Sequence, residues 1–215
     1  MRWATFGLAL AAALSVTAPA LACKGKTVLF RDNFTSTDPG WGLYDKSTVA
    51  IGGGTLKLTP QPKHYAFIYY RGDVYQQADV CVTAAFAGQP GQSGLPDGDE
   101  GIVFGSEDYI GFYYFWISPK NGTAGVRQWS AAAGKYLIPM PPKKVPGLNT
   151  DVGAKNALRV VVDGTRATAY LNDRQLIELT MKPSKVGGIF GLGAARVDDA
   201  PVTWTFDSFK ITDLP

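Results

Sequence analysis

Residues 108–118 read DYIGFYYFWIS and place six aromatic side chains within eleven positions. Aromatic residues are enriched in strands, and successive side chains of a strand point to opposite faces. Alternation therefore divides the rings into two sets, Phe112/Tyr114/Trp116 and Tyr109/Tyr113/Phe115. One set is expected in the interior of a two-sheet fold. The other is expected beneath a covering segment or a ligand, as in the central strand of a sheet covered on both sides.

The rest of the chain repeats this extended pattern. Candidate strands recur roughly every 8–12 residues with turn residues between them, the spacing of a sandwich or barrel. The 215 residues include 25 glycines and 14 prolines, which suits many tight turns. A hairpin is predicted over 48–59, where Gly52-Gly53-Gly54 separates two short strands. We therefore predict an all-β fold of two packed antiparallel sheets.

Two polar or proline-rich stretches are predicted as loops. Residues 88–99 read GQPGQSGLPDGD, and residues 138–153 read IPMPPKKVPGLNTDVG. A loop as long as the second is usually functional or disordered in a compact domain. We expect it to be ordered and to lie at the edge of a binding face.

The first residues resemble a secretory signal peptide. Arg2 is followed by an apolar run that is shorter than the roughly 20 residues needed to span a bilayer, and Ala20-Leu21-Ala22 precedes Cys23. We expect residues 1–22 to be removed and residues 23–215 to form one domain that is exported to the periplasm or the extracellular space, without a membrane span.

Cys23 and Cys81 are the two cysteines of the chain. In an oxidising compartment such a pair is interpreted as one disulfide, which would tie the start of the mature chain to an interior strand. The alternative is that Cys23 carries the lipid of a bacterial lipoprotein. Pro19 and Ala20 do not fit the usual lipoprotein signal, so this alternative ranks second.

The charge of the chain is nearly balanced. There are 21 Lys and Arg against 18 Asp and Glu, and Arg2 is the only charged residue of the predicted signal peptide. This balance, without a basic cluster, argues against nucleic acid or an anionic membrane as the main partner. We expect a monomer that needs no cofactor.

The order of the motifs resembles the concanavalin A-like lectin/glucanase superfamily over most of residues 30–211. More narrowly, it is similar to laminin-G-like and 3-keto-disaccharide hydrolase-like domains (DUF1080-type) of bacterial exported proteins. The motifs are FRDNF with Trp41 after it, GGGTLKL, GIVFGSEDYIGFYYFWIS, NALRVVVDG, TAYLND, GGIFGLGA and WTFDSFKIT.

The resemblance implies a jelly-roll sandwich whose concave sheet receives a glycan and whose first and last strands pair. It also implies a structural calcium site at Asp207, as an alternative to an ordinary edge-strand aspartate. In catalytic glucanases of the superfamily, a Glu-x-Asp-x-x-Glu strand supplies the paired carboxyl groups that glycoside hydrolysis needs, and this pattern is absent here.

Weaker catalytic candidates are therefore considered. They are His64, Glu100, Glu107 and Asp108. Asp97 and Asp99 join the acidic residues that flank the predicted strand 101–105, and we interpret this cluster as a solvated turn because Asp-Gly-Asp has turn chemistry.

Glycan binding needs flat rings that stack on sugars, with polar side chains beside them. The candidate binding set is Tyr69, Arg71, Tyr114, Trp116, Arg127 and Trp129. The leading hypothesis is a non-catalytic, lectin-like domain. The alternatives are a glycoside hydrolase of the 3-keto-disaccharide type and a structural or protein-binding module of the envelope.

Overall fold

The computed structural model describes residues 23–87, 95–106, 111–182 and 186–215. Within these ranges there are two 3-10 turns, Pro39–Trp41 and Ala131–Ala133, and no helix that is long and apolar enough to cross a bilayer. The strands in chain order are β1 (Val28–Asp32), β2 (Val49–Gly52), β3 (Thr55–Leu58), β4 (Tyr65–Tyr75), β5 (Gln77–Phe86), β6 (Gly98–Ser106), β7 (Phe112–Ser118), β8 (Thr123–Ser130), β9 (Lys135–Lys144), β10 (Asn156–Asp163), β11 (Arg166–Leu171), β12 (Arg174–Thr180), β13 (Gly188–Arg196) and β14 (Trp204–Thr212).

The strands form two antiparallel sheets. The first sheet has the order β12-β11-β10-β5-β14-β3-β2, with β1 also paired to β14, and the second has the order β4-β13-β6-β7-β8-β9. Large apolar side chains from both sheets, among them Leu56, Val82, Phe104, Phe115 and Phe206, are fully buried between them. The predicted all-β class and the two-sheet antiparallel sandwich are confirmed.

Strand β7 divides as its alternation predicts. Tyr113, Phe115 and Ile117 belong to the core between the sheets. Phe112, Tyr114 and Trp116 belong to a separate apolar cluster. Tyr109 lies outside the described residues. The second cluster therefore covers the outer face of the second sheet.

The FRDNF motif fixes the start of the fold. Phe30 pairs with Ile211 of β14, so the first and last strands are neighbours, as expected. Asp32 accepts hydrogen bonds from the Trp41 indole N–H and from the backbone N–H of Phe34, both at 2.7 Å. These bonds stabilise a positive φ of 57° at Phe34, a conformation that bulky residues rarely adopt.

The prediction of a proline-rich loop over residues 138–153 is partly wrong. Its first residues, from 138 to 144, belong to β9, and only the remainder is irregular. Proline cannot donate a hydrogen bond to a neighbouring strand. Among the described strands, however, β9 lies at the edge of its sheet and pairs only with β8, and an edge strand tolerates missing N–H groups. β9 borders the sheet whose outer face bears the aromatic cluster.

The acidic cluster at 97–100 is not a solvated turn. β6 begins at Gly98, so Asp99 and Glu100 lie within the strand and are 2% and 0% exposed. Alternation sends Asp99 to the outer face and Glu100 into the core. Residues 88–94 of the predicted loop lie outside the described residues.

The predicted disulfide Cys23–Cys81 is present, with the two Cα atoms 5.6 Å apart. Beside it, the buried carboxylate of Asp79 accepts two hydrogen bonds from Arg159, at 2.7 and 2.9 Å, and one from the backbone N–H of Lys24. The N-terminal segment is therefore held against β5 by covalent and charge-assisted bonds. In this arrangement the Cys23 sulfur is not available for a lipid thioether.

Candidate functional site

Among the described residues, eight aromatic side chains lie on the outer face of the second sheet, and we call this surface the aromatic face. They come from β4, β7, β8 and β9 and contact one another in a single cluster. Its members are Tyr65, Phe67, Tyr69, Phe112, Tyr114, Trp116, Trp129 and Tyr136.

Glycines on neighbouring strands make room for these rings. A Cβ atom at Gly193 would lie 2.5 Å from the Phe67 ring, and one at Gly125 would lie 2.5 Å from the Trp116 indole. Real side chains do not approach so closely. The two rings therefore lie directly over backbone, which lets several large residues share one face.

The aromatic face is concave. β4 and β9 are the two edge strands of the second sheet, yet the rings of Tyr65 and Tyr136 are only 5.7 Å apart. In a flat sheet, five strand spacings of about 4.8 Å would separate these edges by about 24 Å. The sheet must curve for the two side chains to meet above it.

The rings differ in depth. Tyr114 and Trp116 are 0% and 3% exposed and form the floor, whereas Tyr65 is 40% exposed at the top. Phe67, Tyr69, Trp129 and Tyr136 are half-buried. A ligand that approaches from solvent would therefore meet the half-buried rings and Tyr65 first.

An ion pair crosses one end of the aromatic face. Arg127 Nη2 is 3.0 Å from Asp99 Oδ2, and the Tyr114 hydroxyl donates to Asp99 Oδ1 at 3.0 Å. Arg127 Nη1 donates to the Tyr65 hydroxyl at 2.9 Å, and the guanidinium lies 4.5 Å above the Trp116 ring. These contacts give Arg127 both hydrogen-bonding and cation–π partners.

Burial governs the titration of these groups. It raises the pKa of Asp99, an effect that Arg127 and the Tyr114 hydrogen bond oppose. Burial also raises the pKa of Tyr114 well above its usual value, and the neighbouring Asp99 charge adds to the shift. Tyr114 therefore remains a neutral hydrogen-bond donor across the physiological range.

Beside the ion pair lies a cleft of about 350 Å³, which we call the end cleft. Asn121 Nδ2 donates to Asp97 Oδ1 and to Ser118 Oγ, so three polar side chains form one linked group. The end cleft is lined by Asp97, Gly98, Asp99, Trp116, Ser118, Asn121, Thr123, Arg127, Pro142 and Val197.

The structure brings together five of the six predicted binding residues. Tyr69, Tyr114 and Trp129 lie in the aromatic face, while Trp116 and Arg127 lie where the face meets the end cleft. Arg71 lies at the other end of this row of β4 side chains, two residues beyond Tyr69, and its charge partly opposes the rise that burial causes in the pKa of Tyr69. Its exposed side chain also lies against Gly42.

The predicted set omitted four rings of the aromatic face, Tyr65, Phe67, Phe112 and Tyr136, and also the Asp99 carboxylate beside them. A signal for Phe67 was present, because it lies between Tyr65 and Tyr69 with the spacing of two that puts all three on one face. No comparable signal marked Asp99, since its burial depends on Arg127 from a distant part of the chain.

The weak catalytic candidates do not assemble in the described part of the chain. Glu100 faces the core, opposite Ile117 and Ala194, and neither of its carboxyl oxygens has a partner among the described residues. His64 is exposed just before β4, with Nδ1 2.7 Å from the Pro62 carbonyl. Glu107 and Asp108 lie outside the described residues.

Asp207, the calcium candidate, lies on β14 with its carboxylate 2.6 Å from Lys155 Nζ. Calcium would have to displace this ammonium group to bind at the carboxylate. The calcium site stays a prediction.

Known structures share this architecture. Carbohydrate-binding module CBM66 from Bacillus subtilis superposes with a TM-score of 0.55 at 18% identity, over 74% of this chain and 86% of that one. A mixed-linkage glucan GH16 enzyme from Bacteroides ovatus superposes with a TM-score of 0.62 at 14% identity, over 86% of this chain and 100% of that one. The catalytic domain of an endo-1,3-β-glucanase (laminarinase) from Thermotoga petrophila superposes with a TM-score of 0.62 at 8% identity, over 87% of this chain and 98% of that one.

Comparisons of sequence find no match. No family model fits the chain, and no curated protein matches it. At such low identities the structural similarity establishes fold and not activity. The chain has the concanavalin A-like jelly-roll fold that these carbohydrate-binding and glycoside hydrolase domains share.

Proposed function

We propose that this protein is a lectin-like domain that binds a glycan on the aromatic face. The observation that carries the proposal is the set of half-buried rings on a concave surface, reached from solvent through Tyr65, Phe67, Tyr69, Trp129 and Tyr136. Sugar rings have apolar C–H faces that pack on aromatic rings, and a concave surface increases the area in contact.

Polar groups beside the rings supply the complementary interactions. Arg127, Asp99 and the Asn121 amide group meet at the end of the face, in and next to the end cleft. Ligand sites combine a mainly apolar lining with a few placed polar groups, and this is the combination present here. Glycan-binding and glycan-cleaving proteins among the structural neighbours support the proposal.

A glycan array probed with residues 23–215 would identify the ligand, and calorimetry on the best hit would measure its affinity. Tyr65→Ala combined with Tyr136→Ala should weaken binding by about tenfold or more, because exposed aromatic anchors dominate such contacts. The matched control is Tyr170→Ala. Tyr170 is also half-buried and lies 4.6 Å from an arginine, Arg159, but it belongs to the first sheet.

Binding should survive in the control and fall in the double variant. No binding to any glycan at high protein concentration would rule out the proposal. Equal losses in the control and in the double variant would show that the effect comes from stability rather than from the face.

A second candidate function is glycoside hydrolysis, and the observation that favours it is the presence of Asp97 and Asp99 in one cleft. Burial raises the pKa of Asp99, as a proton donor requires, although its pairing with Arg127 works against that role. Incubation of each array hit with the protein, followed by chromatography of the products, tests this function. Activity that Asp97→Asn abolishes would support it. A closer relationship of this chain to laminin-G-like domains or to 3-keto-disaccharide hydrolase domains is likewise a proposal.

We also propose that the protein is exported to the periplasm or beyond. The disulfide Cys23–Cys81 supports this location, because such bonds persist in oxidising compartments. Mass spectrometry of the protein isolated from cell fractions would locate it and define its first residue. A diacylglyceryl group on Cys23 would contradict the disulfide-bonded form.

A further inference from the structure

The end cleft differs chemically from the aromatic face beside it. It lies where β6 begins, where β7 ends and where the following turn leads into β8. Its volume of about 350 Å³ falls at the lower end of the roughly 300–1,000 Å³ of ligand pockets. The space therefore suits one small unit of a longer ligand rather than the whole ligand.

The groups that line the end cleft are suited to hydroxyl partners. Ser118 and Thr123 provide hydroxyls, Asn121 provides an amide, and Asp97 provides a partly exposed carboxylate that accepts hydrogen bonds. Trp116 also lines the cleft, and its buried Nε1–H has no acceptor among the described residues. A ligand hydroxyl can serve both kinds of group because it donates and accepts.

The side chains that line the end cleft carry more negative than positive charge. Two carboxylates line it, Asp97 and buried Asp99, against the single cation Arg127, which is 3.0 Å from Asp99. Lys120, just outside, is shared between Asp97 at 3.8 Å and Asp198 at 4.0 Å. Lys144 Nζ donates to the backbone carbonyl of Asn121 at 2.8 Å. A ligand carboxylate or sulfate would therefore find each of these cations already engaged, and Asp97 would repel it.

We propose that the end cleft is a subsite for one neutral sugar unit, and that it discriminates against units that carry a carboxylate or a sulfate. Hydroxyl groups bind Asp97, Ser118, Asn121 and Thr123, while the repulsion from Asp97 excludes anionic units. Specificity of this kind combines an attractive set of groups with a repulsive one. The inference rests on the proposed function, because it assigns a role within the same binding surface.

The experiment compares matched oligosaccharides that differ in one unit. The protein, as residues 23–215, would be titrated onto array features in pairs. One pair differs in glucose against glucuronate and the other in galactose against galacturonate, on otherwise identical oligosaccharides. The neutral member should bind about tenfold more tightly or better, the effect of one unfavourable charge contact in a partly buried site. Asp97→Asn should reduce that ratio by about threefold or more while keeping a polar side chain in place.

The control is Glu178→Gln, which removes the same charge from an exposed position on β12 of the first sheet. It should leave the ratio unchanged. If neither member of any pair binds, the inference is wrong, whereas the proposed function fails only if no glycan on the whole array binds. If both members bind equally, or if Glu178→Gln changes the ratio as much as Asp97→Asn does, the inference is wrong and the glycan-binding function stands.

Discussion

Arg127 and Tyr65 lie on strands separated by three others in the second sheet, yet Nη1 of Arg127 donates to the Tyr65 hydroxyl at 2.9 Å. Four strand spacings would place these strands about 19 Å apart in a flat sheet. The two long side chains thus bridge the concave face at the end where Asp99 anchors Arg127. Arg127 has both a structural role and a position at the surface that we propose binds a glycan.

Removal of Arg127 should destabilise the fold. Arg127→Met leaves the Asp99 carboxylate buried without its cation, and we expect a loss of about 2–4 kcal/mol in the free energy of unfolding. Urea denaturation followed by tryptophan fluorescence would measure it. Arg166→Met is the control, because its pair with Asp163 is exposed and should contribute about 0.5 kcal/mol or less.

A double variant isolates the cause of that loss. Arg127→Met with Asp99→Leu removes the unpaired charge as well as the cation, so it should recover part of the stability. Equal stability of the Arg127→Met and Arg166→Met proteins would show that the buried pair contributes no more than the exposed one.

The two tryptophans of the aromatic face should respond differently to truncation. Trp116 is 3% exposed and packs over Gly125, so Trp116→Ala should cost about 3–5 kcal/mol of stability. Trp129 is half-buried near the surface, so Trp129→Ala should cost much less and should mainly weaken glycan binding. Thermal unfolding and calorimetric titration of both variants check this contrast, which a similar thermal midpoint for the two would contradict.

Glu100 should make the stability depend on pH. Burial, and to a smaller degree Asp99, raise its pKa well above the usual 4.5. The folded state therefore holds the proton more tightly than the unfolded state. The resulting stability is fully present below about pH 4.5 and falls as the pH rises towards the folded pKa, by about 1.4 kcal/mol for each pH unit between the two values.

Glu100→Gln removes this titration and should gain stability relative to the parent protein as the pH rises from 4 to 8. At pH 4 the two proteins should be nearly equal, because both side chains are then neutral. Denaturation curves at several pH values provide the measurement. A difference that stays constant with pH would mean that Glu100 titrates alike in the folded and unfolded states.

The disulfide should be intact in the isolated protein and should stabilise it. Thiol titration of the denatured, unreduced chain should detect no free thiol. Replacement of both cysteines by serine should cost roughly 4 kcal/mol in the chain-entropy model, given the separation of 58 residues. The double-serine variant, unlike the parent, should not respond to a reductant. Two thiols per chain would refute the bridge.

Much of the fold could be predicted because extended chains alternate by covalent geometry. The division of β7 into an inner and an outer set needed no knowledge of the partners of Tyr113 or Tyr114. Turn chemistry likewise located the hairpin between β2 and β3, where Gly53 and Gly54 adopt positive φ.

Other features depend on contacts between distant residues and were not predictable. β9 is a strand in spite of its prolines because β8 offers an edge for it to pair with. Asp99 is buried because Arg127 reaches it across one intervening strand, β7, and the curvature that joins Tyr65 to Tyr136 is a property of the whole sheet. Local sequence contains no record of any of these partners.

The glycines under the aromatic face determine how far its rings project from the sheet. A methyl group at Gly193 would push the Phe67 ring outward, and one at Gly125 would lift Trp116 against Arg127. Such a change would alter the contour that a ligand meets while every side chain in contact with that ligand kept its identity. The shape of the aromatic face therefore depends on two residues that contribute no side chain to it.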